Sequence, residues 1–538
     1  MRLPPTAVVS LGKLTSGHES YYEREVAGGA EDYYAMRGEA AGEWVGTGSA
    51  ALGLEGQAAG GELRELLEGR DPASGQMLRG RTVRVTGWDV TYSPPKSVSV
   101  LHAAGDARVA AETLAAHRTA VRSALRYLES EACWTRRGAG GAVRLVGEGF
   151  VGVEYVHRVS RAGDAQLHSH VVVANMTRAD GRWTTLDGQA LYANLKTASA
   201  LYHAELRAQM SRRLRVEWEP VARGKLAAEI RGVPAAVLRD QSRRHREIVE
   251  RMEDRGESGP RAAQTAALDT RKTKDFTVDG RNVARELRAR IAEKGLGPAE
   301  VAAVLDRRHL DRTPANDLRR MSRRLLSAKG ITEHRSTFSR GDVIQRWATW
   351  HRQGEPADLI VEQVDRWLGH PEIVALEPHA AAASPKGDQL PLPFPDRRGD
   401  LRYTTRELLD AEDALLRRVA GRRDEGVGVV PASKLNAALA KSPTLTADQV
   451  GLVRALTRSG HGIRERRGGR RRGQDLRASG RRRRLYRRWT SGAGHVDEQP
   501  RLSDARGGGR GTRGEHHAPA GRPRPRQRLA SRDGAPRR

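Results

Sequence analysis

Residues 150–159 and 166–176 are two strand-forming stretches separated only by Arg161-Ala-Gly-Asp-Ala165, and this pairing constrains the fold more than any other feature of the chain. So short a connection, with Gly and Asp inside it, predicts an antiparallel β-hairpin. Three histidines ride on it: His157 near the end of the first strand, His168 and His170 on the second. Residues two apart on a strand share a face, so His168 and His170 project together, and the hairpin returns His157 towards them. Three neutral imidazoles converging on one side of a sheet can bind a divalent ion such as Zn, Mn, Ni or Co and leave positions open for substrate oxygens. A His-x-His pair alone is more often a solvated strand face; the third histidine at hairpin distance adds considerable weight to the metal reading.

Around this hairpin the pattern alternates between sheet and helix. Thr82 to Val100 alternates apolar and polar residues around Trp88 and Val90 and predicts a strand, and Ala107 to Glu131 repeats apolar residues at helical spacing. Leu195 to Leu214 and Asp240 to Asp254 also read as helices, with a strand around Trp218 between them. The fold class expected for the first 300 residues is therefore α+β. A chain of 538 residues exceeds one hydrophobic core, so more than one folded unit is expected. Residues 301–400 read as a helical connecting region, with Ala380 to Gly399 as a linker rich in Ala, Pro and Asp. Tyr403 to Val419 reads as a helix opened by a capping box, Thr404-Thr-Arg-Glu407.

Charge points to a polyanion. The chain carries a formal +28, and each phosphate neutralised by Lys or Arg releases a condensed counterion. The excess is uneven: residues 464–538 hold 24 Arg against 7 acids, so the body is only mildly basic. That tail lacks Lys, Ile, Asn, Phe and Met, and with so few large apolar side chains it is expected to stay disordered. It reads as a basic nucleic-acid-binding arm or as GC-rich coding sequence translated out of frame. Codons compatible with residues 467–475, read one base later, can spell G-V-A-G-A-G-K-T, which fits a phosphate-cradling loop. The single cysteine, Cys133, excludes an internal disulfide and reads as a small buried hydrophobe. No window approaches 18 uninterrupted apolar residues and no leader pattern opens the chain, so a cytoplasmic protein without membrane insertion is expected.

Two tyrosine pairs, Tyr21-Tyr22 and Tyr33-Tyr34, lie near the N-terminus of a chain with 11 tyrosines. They are either packed aromatic faces or nucleophiles. A phenol with a pKa near 10 attacks a phosphodiester only where a cation or base eases formation of phenolate, which a histidine-held metal can do. Between the tyrosines and the hairpin lies Trp88-Asp-Val-Thr-Tyr-Ser-Pro-Pro-Lys-Ser-Val-Ser-Val100. It places Asp89 in a strand, where a carboxylate can orient a metal-bound histidine or accept a tyrosine proton. Its Ser93-Pro-Pro-Lys96 turn offers Lys96 to a phosphate.

Together these motifs resemble the relaxase domain of MobF-type conjugative relaxases, the TrwC/TraI family of HUH endonucleases, over about residues 10 to 300. Ser20-Tyr-Tyr-Glu23, Glu31-Asp-Tyr-Tyr-Ala35 and Glu43-Trp-Val-Gly-Thr-Gly48 are similar to the N-terminal tyrosine motif. The Trp88 segment resembles the second motif. His157-Arg-Val-Ser-Arg161 with Gln166-Leu-His-Ser-His170 and Asn175-Met-Thr177 resembles the three-histidine motif. The resemblance implies an antiparallel sheet with helices on one face. It makes Tyr21 the main nucleophile, Tyr33 the second, Asp89 the orienting or proton-accepting acid, and His157, His168 and His170 the ligands of a divalent metal such as Mg, Mn or Zn. The partner it implies is single-stranded DNA at a transfer origin, with accessory relaxosome and coupling proteins. One strand would be nicked at the nic site through a 5′-phosphotyrosine intermediate.

Relatives of this kind often continue into a RecD-like helicase. Residues 401–463 resemble its approach, with Gln449 in the place of an adenine-reading glutamine, but no nucleotide-binding loop follows Gly460-His-Gly-Ile463. Neither an ATP site nor helicase activity is expected. Two other functions fit parts of the same pattern: a rolling-circle replication initiator with the same chemistry, and a non-catalytic remnant that only binds single-stranded DNA.

Overall fold

The computed structural model describes residues 9–15, 42–59, 61–80, 82–138, 141, 143–160, 162–270, 280–307, 315–376 and 401–462. These belong to one compact unit, residues 1–462. The linker expected at 380–399 and the tail from 464 lie outside the described residues.

Strands come first as β1 (Val9–Leu14), β2 (Glu43–Val45), β3 (Gly87–Tyr92), β4 (Trp134–Arg137) and β5 (Val143–Val146). They continue as β6 (Gly152–Val159), β7 (Ala165–Ala174), β8 (Thr177–Ala179) and β9 (Arg182–Thr184). The central sheet has five strands in the order β1-β3-β7-β6-β2, every neighbouring pair antiparallel. The remaining four strands of this region form two-stranded ribbons, β4 with β5 and β8 with β9.

Alternation along the strands divides the core between two faces. On one face Val9, Leu11, Val90, Tyr92, Val171 and Val173 join a core with the long helices Ala107–Ala132 and Gly188–Leu214. Asp106 caps the first of these, its carboxylate accepting from Val109 N at 2.8 Å, and Asp187 caps the second through Gln189 N. Val121, Leu125 and Leu128 are almost fully buried, and each stabilises the packing by about 1.5–3 kcal/mol. The second helix starts against an indole: a Cβ at Gly188 would stand 2.5 Å from the ring of Trp88, so only glycine allows the approach. On the opposite face Val153, Val172 and Ala174 pack under Leu63, Leu66 and Leu67 of the short helix Glu62–Glu68. That helix leaves the hairpin end of the face to the three histidines.

The expected α+β sheet with its long helices on one face is present, and three local expectations are corrected. The strand read over Thr82–Val100 stops at Tyr92, and Lys96–Ala104 is a helix that follows Pro95. Its residues Ser97 to Ala104 are all buried, which removes the one-sided periodicity by which a helix is normally read. The Trp218 region contributes only an isolated bridge, Trp218 to Ile230. Tyr403 lies in a strand, not a helix: β12 (Arg402–Thr405) pairs with β10 (Phe338–Ser339) and β11 (Ile373–Leu376). The helix Arg406–Gly421 begins afterwards, capped by Thr405 rather than Thr404. Cys133 is buried as expected, with Sγ 3.3 Å from Thr177 Oγ1.

The core continues past residue 300. Val301, Val304, Met321, Leu325, Val343, Ile344, Ile360 and Val364 belong to the same cluster as the long helices. Among the described residues, no helix is long and apolar enough to cross a membrane.

Candidate metal centre

The β6–β7 register sets His157 directly opposite His168. His170 is one step along the same face, where it pairs with Tyr155 on one side and Thr91 on the other. The three rings close a triangle with centroids 5.0 to 5.1 Å apart. One ligating nitrogen from each can be chosen so that all lie within 4.8 Å of one another. His157 is buried; His168 and His170 are half-buried, so the triangle opens to one side.

Outer contacts decide which nitrogen each ring offers. His168 Nδ1 stands 2.9 Å from the carbonyl of Gln166, which only accepts, so Nδ1 carries the proton and Nε2 keeps a lone pair. His170 Nδ1 lies 2.9 Å from Asp89 Oδ2 and 3.0 Å from Oδ1, which fixes the same tautomer. Burial, helped by the neighbouring His170, pushes the His168 imidazole down to about 3, and it is therefore neutral at neutral pH. An imidazole that keeps a lone pair on Nε2, as His168 and His170 do, is what a divalent cation requires of such a ligand, so the residues fit the metal that the sequence implied.

Asp89 lies in β3 on the histidine face. Its second neighbour along the strand, Thr91, donates from Oγ1 to Asp89 Oδ1 at 3.1 Å and sits 3.2 Å from His170 Nδ1. On the other flank β1 places Gly12 opposite Asp89, where a Cβ would come within 3.6 Å of the aspartate's own. The Asp89 carboxylate thus bonds both His170 and Thr91.

Other expected site residues fall elsewhere. Tyr21 and Tyr33 lie outside the described residues. Lys96 turns its ammonium inward to donate to the carbonyl of Ala165 at 2.9 Å. Burial, opposed by Asp164 and Glu229, lowers its pKa to about 8. That contact ties Lys96 to the hairpin rather than to a phosphate. Asn175 does not join the histidines; it accepts from Trp88 Nε1 and Leu186 N and donates to the Val85 carbonyl, joining the start of β3 to the approach of the Gly188–Leu214 helix. Gln449 uses its side chain to cap its own helix, accepting from Thr446 N at 2.8 Å.

Two contributors were missed from sequence. Thr91 was identifiable in principle, because it shares the face of Asp89 two residues away. The Gln166 carbonyl carries no side-chain signature.

A sequence profile of the TrwC relaxase family matches residues 15–294, just over half of the 538-residue chain. The multifunctional conjugation protein TraI of Escherichia coli is 31% identical over 338 residues, and the match covers 59% of this chain and 18% of TraI. TraI of Escherichia coli strain K12 is 30% identical over the same length and coverage. The chain therefore spans less than a fifth of the length of these relatives. Among solved structures, the conjugative relaxase TrwC in complex with oriT DNA, copper-bound, is 30% identical with a TM-score of 0.47, covering 54% of this chain and 99% of its own. TrwC complexed with a 27-mer DNA comprising the recognition hairpin and the cleavage site is 28% identical with a TM-score of 0.46 at the same coverage. On the strength of the profile match, the chain belongs to the TrwC relaxase family.

Proposed function

We propose that this protein is a conjugative relaxase that cuts one strand of DNA at the nic site of a transfer origin by tyrosine transesterification. The observation that carries the reading is the triangle of His157, His168 and His170, with nitrogens within 4.8 Å of one another and Asp89 fixed behind His170. Tyr21 is the main nucleophile and Tyr33 the second. A divalent cation held by the three imidazoles would polarise the scissile phosphate and stabilise the charge that develops on it.

The chain's own residues supply the remainder. The Tyr21 phenol oxygen bonds to phosphorus as the bond from phosphorus to the 3′ oxygen breaks, and the proton the phenol gives up ends on that oxygen, which leaves as a 3′-hydroxyl. The DNA 5′ end stays attached as a phosphotyrosine, and a second transesterification rejoins the strand. Bond energy is conserved in the link, so strand transfer needs no ATP. The engagement of Asp89 by His170 and Thr91 supports an orienting role for it.

The working partner is single-stranded DNA, assisted by accessory and coupling proteins, in the cytoplasm. Residues 1–300 act as the catalytic region, 301–400 as the connecting region, and 401–463 as the opening of a motor region that is not needed for cutting. The test is to incubate purified protein with Mg²⁺ or Mn²⁺ and an oligonucleotide bearing the cognate origin. A covalent protein–DNA adduct that disappears in Tyr21→Phe is expected. No adduct with the wild type, or an adduct that survives the combined Tyr21→Phe and Tyr33→Phe changes, overturns the reading.

A further inference from the structure

Behind the histidine triangle, on the helix side of the sheet, runs a chain of buried polar groups that the proposed chemistry does not use. Ser169 sits between His168 and His170 in sequence and points the opposite way. Its hydroxyl donates to Glu154 Oε1 at 2.7 Å. His117, from the Ala107–Ala132 helix, lies with Nε2 2.8 Å from Ser169 Oγ and Nδ1 2.8 Å from the hydroxyl of Tyr202. Ser169 and His117 are wholly buried and Glu154 is 1% exposed. Burial keeps His117 neutral, its pKa lowered to about 3.

The bonding order follows. Ser169 spends its only proton on Glu154, so it accepts the His117 Nε2 proton, and His117 Nδ1 in turn accepts from Tyr202. The chain runs Tyr202 to His117 to Ser169 to Glu154 and ends on a carboxylate that has Arg118 Nε 3.9 Å away.

These residues are placed where register matters most. Glu154 lies on β6 three residues before His157, and Ser169 lies on β7 between the other two histidines; in the ladder Ser169 faces Val156 and Glu154 faces Val171. The ladder is already irregular between His157 and Val159. A slip of one residue would turn every side chain of a strand to the other face. Apolar partners tolerate such a slip, since Val156, Val171, Val172 and Val173 are interchangeable as packing. A serine, a glutamate and a histidine bonded in one order are not, because any other register breaks the bonds from Ser169 to Glu154 Oε1 and to His117 inside the core.

We infer that the Glu154–Ser169–His117–Tyr202 chain is a positioning layer that locks the β6–β7 register and so holds His157, His168 and His170 at metal-binding spacing. The inference rests on the metal reading of the triangle. Its test is Co²⁺ and Zn²⁺ binding by the full chain, with affinity measured by chelator competition and ligand geometry read from the visible spectrum of bound Co²⁺. Glu154→Leu and Ser169→Ala are expected to weaken binding roughly tenfold or more and to alter the Co²⁺ spectrum. Glu154→Gln, which keeps an acceptor for Ser169, is expected to bind with near-wild-type affinity.

A merely structural layer would lower the melting temperature without moving affinity or spectrum, or would fail equally in Glu154→Gln. Wild-type affinity and spectrum in folded Glu154→Leu or in folded Ser169→Ala overturns the inference, as does Glu154→Gln binding as weakly as Glu154→Leu. Ser169→Ala removes a single oxygen and serves where the leucine variant does not fold. A wild-type protein that takes up neither ion overturns the metal reading as well, which separates the two failures.

Discussion

His170 and Asp89 meet diagonally across adjacent strands, with His170 Nδ1 2.9 Å from Asp89 Oδ2, although 81 residues separate them in the chain. The contact fixes both the tautomer and the angle of the imidazole that closes the metal triangle. Asp89→Ala should therefore weaken divalent-metal binding by about 10–100-fold. Asp89→Asn, which keeps one acceptor oxygen but no charge, should fall between. Chelator-competition titration measures both, and unchanged affinity in the alanine variant would remove Asp89 from the site.

Acid should destabilise the metal-free protein well above the range of ordinary carboxylates. Burial is the main cause holding His117 down to about 3 and His102 down to about 4, with the nearby His168 adding to the first and Arg158 to the second. Both groups bind a proton in the unfolded chain near 6.5 and not in the folded one. Between pH 6.5 and about 4 the unfolded state thus holds more protons, and stability falls as pH falls. The slope approaches about 1.4 kcal/mol per pH unit for each such histidine once the unfolded form is fully protonated. Urea midpoints measured between pH 7 and 5 should drop, and His117→Gln should flatten the decline; a flat wild-type profile would contradict the assignment.

Gly46 closes β2 with φ +94°, and a Cβ there would stand 2.3 Å from the Phe150 carbonyl oxygen. Gly53, also left-handed at φ +71°, has nothing within 4 Å of where its Cβ would be. Gly46→Ala combines left-handed strain with a backbone collision and should cost about 3 kcal/mol or more, whereas Gly53→Ala should cost only about 1 kcal/mol. Chemical denaturation of the two variants compares them directly, and equal losses would mean that the carbonyl moves aside freely.

What could be read from sequence was governed by chain distance. The three histidines were legible because a five-residue turn and the two-residue strand period fix their relation locally. Asp89 could be placed on a strand, but not beside His170, because the β3–β7 pairing spans about 80 residues and leaves no short-range mark. The Ser169 layer was invisible for the same reason: His117, Glu154 and Tyr202 are brought together by the sheet and two helices. Lys96–Ala104 shows no helical period in sequence because it is buried on every side. Tyr403 carries no local mark of its strand, because its partners Phe338 and Ala375 lie far upstream.

Arg207 ties the region beyond residue 300 to the helix Gly188–Leu214. Its guanidinium is 1% exposed and donates to the carbonyls of Leu226, Ala348 and His351 at 3.3, 2.8 and 3.4 Å. Burial lowers its pKa only to about 10, so it stays charged at neutral pH and works as a cationic clamp on two segments. Beside it a Cβ at Gly354 would stand 2.2 Å from Ala208 N, so the two pieces of backbone touch with no room between them. Arg207→Ala leaves a cavity and three carbonyls short of a donor, and should cost about 3 kcal/mol. The loss should appear first as detachment of the Arg340–Trp350 helix, which packs on the Gly188–Leu214 helix and carries Ala348. Limited proteolysis should then cut between residues 301 and 376 sooner in Arg207→Ala than in the wild type, while the histidine sheet stays resistant. Equal cutting rates in both proteins would show that Arg207 does not hold the two segments together.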